Sequence, residues 1–303
     1  MNKLDKYKGT LIGLALGDAL GTPFEFWKQE KVKEYFQHND LEIKKFSRGN
    51  ISYPAGFYTD DTAQTICLSE SLIEKGFNLD DQFDKYKQWY LEGHATPNKE
   101  CYGIGQQTLR SLSREMINVD SMNGQEEMAG GNGSLMRCAP IGLFYQNNYN
   151  EIENKSLLSS YITHNNLIAG WSCVILNTLI SLIIDGEDKS ELLSLTLKQC
   201  NNAPNEITKL LNLDYINLNE SNLNISGYSL DTLRIAIWSL INTDDYEGSI
   251  KKVILLGNDT DTFGAVTGAL SGCYYGYKQI PIKFTESLSN KEYILSLATR
   301  LSN

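Results

Sequence analysis

Apolar residues recur three and four positions apart along most of this chain, the period of a helix with one buried face. The pattern predicts helices over residues 5–20, 60–75, 79–92, 104–117, 134–144 and 151–165. Further helices are predicted over 166–185, 190–199, 230–241, 246–256, 261–277 and 286–300. Alternating stretches are few, and 43–48 is too short to carry a strand by itself. Gly9, Gly13 and Gly17 fall four apart on the first helix, a stripe of small residues that lets a second helix approach closely. Gly and Pro gather between the helices, and the Asn/Leu-rich stretch 212–224 reads as a surface loop. No Pro/Ser linker and no repeat of 20–50 residues divides the chain, so the expectation is one compact all-α domain over residues 1–303.

Composition narrows the partners more than the fold. The 303 residues are 41% hydrophobic and 21% charged, with a net charge of −10. That charge argues against a nucleic-acid backbone or an anionic membrane as a general partner. An anionic small ligand would then need local positive charge, metal ions or backbone N–H groups. Cys67, Cys101, Cys138, Cys173, Cys200 and Cys273 show no CxxC or CxxH spacing. They read as reduced core thiols, which points to the cytoplasm. Lys3, Lys6 and Lys8 precede an apolar run, but Gly13, Gly17 and Asp18 interrupt it as they would not in a secretion signal. No segment looks long and apolar enough to span a bilayer, and the absence of heptads suggests a monomer.

Candidate chemistry lies in five places. Thr59-Asp60-Asp61-Thr62 and Asp259-Thr260-Asp261-Thr262 each open a predicted helix, about two hundred residues apart. Either one taken alone reads first as a helix cap. Four carboxylates exceed what two caps need, and each segment follows a glycine-bearing approach. If the two helix starts meet, they form an all-oxygen cage suited to Mg²⁺ or Mn²⁺ rather than zinc. The glycine-rich stretch Gly130–Arg137 runs into a helix and offers backbone N–H groups as an anion seat, or else is a flexible turn. Among the three histidines, His164 lies at a helix end, where a structural role is the more common one. Glu25 sits between Phe24 and Phe26 after a Pro turn, and reads either as a solvated loop carboxylate or, if buried among the aromatics, as an acid–base group of raised pKa.

Together these segments resemble the ADP-ribosylglycohydrolase family, which includes the enzyme that reactivates ADP-ribosylated dinitrogenase reductase and the vertebrate ADP-ribosyl-acceptor hydrolases. The matching stretches are GTLIGLALGDALGTPFEF (9–26), YPAGFYTDDTAQTI (53–66), GNGSLMRCAPIGLF (131–144), THNN (163–166), SGYSLDTLRIAIWSL (226–240) and GNDTDTFGAVTGALSGCYYG (257–276). They run in the family's order over nearly the whole chain. The resemblance implies an all-α orthogonal helical fold with two Mg²⁺ ions (Mn²⁺ being an alternative) in a cleft. It implies metal ligands at Thr59, Asp60, Asp61, Asp259, Asp261 and Thr262. Catalytic carboxylates are expected at Glu25, Asp60 and Asp261, and ADP-ribose contacts at Gly131, Asn132, Gly133, Ser134, Met136 and His164. The activity implied is hydrolysis of the bond between ADP-ribose and an acceptor, either a protein side chain or a small conjugate. Two positions depart from the family pattern: Gly103 stands where many members have Asp, and Asn258 where a glycine is common. The competing readings are a non-catalytic ADP-ribose-binding or structural (crystallin-like) member of the same fold, and a phosphohydrolase or hydrolase of small ribosides.

Overall fold

The computed structural model describes residues 2–303. Fifteen α-helices succeed one another among them. The first seven are α1 (Lys3–Gly21), α2 (Gln29–Phe36), α3 (Asp60–Lys75), α4 (Leu79–Glu92), α5 (Gln106–Leu112), α6 (Ala139–Phe144) and α7 (Tyr149–Tyr161). Then come α8 (Leu167–Asp185), α9 (Lys189–Gln199), α10 (Asn205–Leu211) and α11 (Ser229–Ile241). The last four are α12 (Tyr246–Ile254), α13 (Thr260–Tyr275), α14 (Ile282–Thr285) and α15 (Lys291–Leu301). A short hairpin pairs β1 (Phe46–Arg48) with β2 (Ile51–Tyr53), antiparallel, through a Gly49-Asn50 turn.

Helices α1 and α13 form an antiparallel pair at the centre, and glycine sets their separation. Gly9, Gly13 and Gly17 face Gly272, Gly268 and Gly264, each against the other's backbone carbonyl. A methyl group at any of them would overlap that carbonyl, so the backbones touch where side chains would normally intervene. Tyr246 from α12 donates to the Gly13 carbonyl at 2.7 Å, and the Thr260 hydroxyl donates to the Gly21 carbonyl at 2.8 Å. The antiparallel sense has a consequence for chemistry, because the C-terminal end of α1 meets the N-terminal end of α13. Asp18 and Glu25 are thereby carried to Asp259 and Asp261.

The hydrophobic core runs from Tyr7 to Leu301, and one small aromatic cluster, Phe46, Tyr53 and Tyr102, stands apart under the hairpin. Contrary to the expectation from sequence, α8 is long and apolar enough to cross a membrane, with a mean hydropathy of 2.2. Most of it is buried inside the protein, where a helix apolar on every side makes a central core element. Two expected helices are shorter than their apolar patterns. The one expected at 134–144 begins only at Ala139, with Pro140 in its first turn, a position Pro tolerates because it needs no N–H there. The one expected at 104–117 spans only Gln106–Leu112, after Gly103 has turned the chain with φ of 86°. Helices α2 and α10 carry too few apolar residues to stand out by periodicity.

Candidate active site

The α3 start is organised from outside. Thr59 holds its N-cap position but makes no side-chain cap to its own helix. Asp18, reaching over from α1, accepts instead from the N–H of Thr59 (3.0 Å) and of Thr62 (3.1 Å). Its carboxylate also faces the hydroxyls of Thr59 (2.9 Å) and Thr62 (2.6 Å). The expected capping role of the TDDT segment therefore belongs to a residue in another helix, and Asp60 and Asp61 are free for the cleft. Asp259, at the N-cap position of α13, likewise makes no cap; it accepts from Asn132 Nδ2 at 2.7 Å. Asp261 lies within the first turn, with its Oδ1 accepting from the N–H of Thr262 at 3.0 Å.

A cleft of about 370 Å³ opens between these helix starts. Glu25, Asp60, Asp61, Asp259, Asp261 and Thr262 line it on one side, and Gly131, Asn132, Gly133, Met136 and His164 line it on the other. Gathering so many carboxylates out of water has a large electrostatic consequence. Asp60, Asp61 and Asp261 are pushed well above the usual carboxylate range, by burial first and then by neighbouring carboxylates, Asp18 for Asp60 and Asp61 and Glu25 for Asp261. Asp61 Oδ1 is buried without a hydrogen-bond partner. The counter-charge comes from Arg48 on the hairpin, which pairs with Glu25 and lies 3.7 Å from Asp261. Burial nevertheless raises Glu25 despite its partner. No group of three or more His, Cys, Asp or Glu side chains among the described residues is already drawn together as a metal cage. The donor set itself, hard oxygens with one orphaned carboxylate oxygen and an excess of negative charge, fits divalent cations.

The glycine loop is pinned from behind. Asn132 N donates to the Gly227 carbonyl and Ser229 N to the Gly130 carbonyl, both at 3.0 Å. The N–H groups of Gly131 and Gly133 have no acceptor among the described residues. They remain available to an anion. His164 packs against this loop so tightly that a side chain at Gly133 would strike its ring. Burial and the neighbouring Arg137 push the imidazole down to about 3, so it is neutral. Its tautomer follows from the chain of bonds behind it. Arg137 donates to Thr163 Oγ1 at 2.7 Å, and Thr163 Oγ1 lies 2.8 Å from His164 Nδ1. With Arg137 already donating to that hydroxyl, we assign its single proton to Nδ1 and the ring proton to Nε2, the nitrogen beside Gly131 and Gly133. Arg137 itself is fully buried without a carboxylate, held by Gln64 and stacked 4.2 Å from the centre of the Tyr86 ring.

Most of the residues singled out from sequence therefore meet in one cleft, and two turn away from it. The Ser134 side chain is buried against Ser160 at 2.7 Å and does not line the cleft, because the loop has begun to coil at that point. Thr59 is buried beside Asp18 and Asp61 behind the wall. Gly103 lies directly against Asp60, and any side chain there would collide with its carboxylate. Sequence reasoning missed Asp18 and Arg48. An Asp inside an otherwise apolar glycine stripe was a signal for the first; Arg48 sits in a hairpin without periodicity and gave none.

Comparison with known proteins gives concordant results. The family model described as ADP-ribosylglycohydrolase matches residues 1–303. The ADP-ribosylarginine hydrolase Tri1 of Serratia proteamaculans is 32% identical over 301 residues, covering 98% of this chain and 79% of that protein. The ADP-ribosyl-dinitrogen reductase glycohydrolase of Rhodospirillum rubrum is 27% identical, covering 95% of this chain and 91% of its own length. A solved structure titled ADP-ribosylglycohydrolase-related protein complex superposes with a TM-score of 0.83 at 31% identity, over 99% of this chain and 98% of that one.

Proposed function

The chain belongs to the ADP-ribosylglycohydrolase family, and on that footing we propose that it hydrolyses the bond between ADP-ribose and a modified protein side chain. The supporting observation is the cleft itself, which sets the carboxylates of two helix starts opposite an anion seat, with the Asn132–Asp259 contact of 2.7 Å joining the two sides. In this reading the diphosphate lies on the Gly131 and Gly133 N–H groups and the Nε2–H of His164, while Met136 supplies an apolar wall. The distal ribose then reaches the carboxylates.

Asp60, Asp61, Asp259, Asp261 and Thr262 would hold two divalent cations, Mg²⁺ or Mn²⁺, with Thr59, expected as a sixth ligand, bracing Asp61 from behind the wall. When bound, these would supply Lewis-acid polarisation of the ribose oxygens and of the attacking water. The protein's own part is electrostatic and positional. As the bond to the acceptor lengthens, positive charge builds on the anomeric carbon, and the Glu25 and Asp261 carboxylates stabilise it. Water gives its oxygen to that carbon and a proton to the departing acceptor atom, so the products are free ADP-ribose and the unmodified acceptor. Asp18 does not touch the substrate; it holds the N-terminus of α3, and Asp60 and Asp61 with it, at the correct height in the cleft. Arginine heads the acceptors to be tried, because the Serratia relative is named for it. We place the enzyme in the cytoplasm as a monomer.

Mass analysis of the products tests this reading against a phosphohydrolase. Intact ADP-ribose is expected; AMP or phosphate in its place would overturn the assignment.

A further inference from the structure

The cleft accounts for ADP-ribose but not for the acceptor, which must lie beyond the carboxylates from the glycine loop. The wall on that side is made by Glu25 and Phe26. Behind the same two residues a second cavity opens, of about 480 Å³, walled also by Pro23, Trp27, Lys45, Phe46 and Arg48. The two spaces share Glu25 and Phe26, so a group leaving the ribose at Glu25 has this cavity next to it.

Phe26 is built to be presented there. The residue is 74% exposed, although it belongs to one of the most hydrophobic types. Its backbone adopts φ of 62°, a left-handed conformation that bulky side chains rarely take and that needs support. The support comes from paired backbone bonds: Phe26 N donates to the Asn258 carbonyl at 2.7 Å, and Asn258 N to the Trp27 carbonyl at 2.8 Å. Asn258 also has positive φ, 65°, so two strained residues brace each other at the lip. An exposed aromatic held rigidly at the mouth of a reactive cleft offers contact area at little entropic loss on binding.

The segment that leads into the far wall of this cavity opposes the whole protein in charge, and of the cavity's own charged residues, Glu25, Lys45 and Arg48, two are cations. Residues 28–48 hold six Lys and Arg against four Asp and Glu, in a chain of net charge −10. Arg48 is engaged by Glu25, but Lys45 is exposed on the cavity wall. Lys31 stands over the Trp27 ring, 3.4 Å from its centre.

We propose that this cavity is the acceptor subsite, and that it takes a polypeptide segment with an apolar side chain on Phe26 and an acidic side chain against Lys45, flanking the modified residue. The inference rests on the hydrolase reading above. It makes the enzyme read the sequence around the modification as well as the ADP-ribose.

The test compares three arginine-linked substrates: free ADP-ribosylarginine, an ADP-ribosylated peptide with Leu and Asp beside the arginine, and a matched peptide with Ser and Lys. The wild-type protein is expected to favour the Leu/Asp peptide over the Ser/Lys peptide through KM, by roughly fivefold, as befits one exposed charge pair. Lys45→Glu should abolish or invert that preference and leave the free conjugate unchanged, since Lys45 lies outside the ADP-ribose cleft. Phe26→Ser should raise KM for both peptides more than for the free conjugate. A preference untouched by Lys45→Glu, or equal losses on all three substrates in Phe26→Ser, would overturn the proposal. Failure of the wild-type protein to cleave any of the three in the presence of Mg²⁺ would instead overturn the arginine-linked hydrolase reading, and the subsite with it.

Discussion

Arg48 reaches from the β-hairpin to Glu25, and the same guanidinium lies 3.7 Å from Asp261. Among the described residues it is the one cation paired with the acids of the cleft, and those acids raise its own pKa further despite burial. Taking away one partner of such a pair leaves carboxylates buried without compensation.

Arg48→Gln is therefore expected to destabilise the protein in EDTA, lowering Tm by roughly 2–5 °C after allowance for its partial exposure. The same change should tighten Mn²⁺ binding measured by calorimetry, because the guanidinium no longer competes for Glu25 and Asp261. Equal melting temperatures together with weaker Mn²⁺ binding would show that Arg48 supports the cation site rather than substituting for its charge.

Asp18 acts at one remove. Four donors from Thr59 and Thr62 converge on it, so Asp18→Ala frees the start of α3 and lets Asp60 and Asp61 move. Loss of an interaction that orients ligands weakens metal binding by about 10–100-fold. Calorimetric titration with Mn²⁺ on the folded variant checks this, and an unchanged affinity would remove Asp18 from the account.

His164 gives a pH dependence with a definite sign. Its folded pKa is depressed to about 3, against an unfolded value near 6.5. Below about pH 6.5 the unfolded ring takes up a proton that the folded ring refuses, so this residue makes stability fall as pH drops toward 3. NMR of the ring nitrogens should show the Nε2–H tautomer with no titration between pH 5 and 9. Thr163→Val, which removes the hydroxyl on Nδ1, should produce a mixture of tautomers and weaker ADP-ribose binding.

The helix pair under the site tolerates no added atoms. Gly17→Ala places a methyl on the Gly264 carbonyl, where only backbone movement relieves the overlap. A loss of about 3 kcal/mol in urea unfolding is expected, at the upper end for overpacking. A loss below about 1 kcal/mol would mean that α1 and α13 part easily, and that the junction of Asp18 with Asp259 and Asp261 is not rigid.

Much of this arrangement could be read from the chain, for particular reasons. The stripe Gly9, Gly13, Gly17 announced a close helix contact, and Gly264, Gly268, Gly272 in α13 turned out to be its other half. The TDDT and DTDT segments carried more carboxylate than caps require, and the antiparallel pair brought them together. What periodicity could not reveal was anything dependent on long-range packing. The capping of α3 by Asp18 spans forty-one residues, and the hairpin that delivers Arg48 has only three residues in each strand. Ser134 was misread because a glycine loop at a helix start shows which residues are near an anion seat but not which way each side chain turns. Helix α8 carried the strongest apolar signal in the chain, and tertiary burial, not a membrane, accounts for it.

The central claim is metal-dependent release of ADP-ribose by the two acid-bearing helix starts. The most direct measurement is liberation of ADP-ribose from proteins modified separately on arginine and on serine, with Mg²⁺ and with EDTA, for wild type, Asp60→Asn and Asp261→Asn. Release from at least one substrate, abolished by EDTA and by either substitution, is the predicted result. Full activity in both variants, or release that persists in EDTA, would contradict the two-metal account. Tight ADP-ribose binding without release from either protein would make the chain a binder instead.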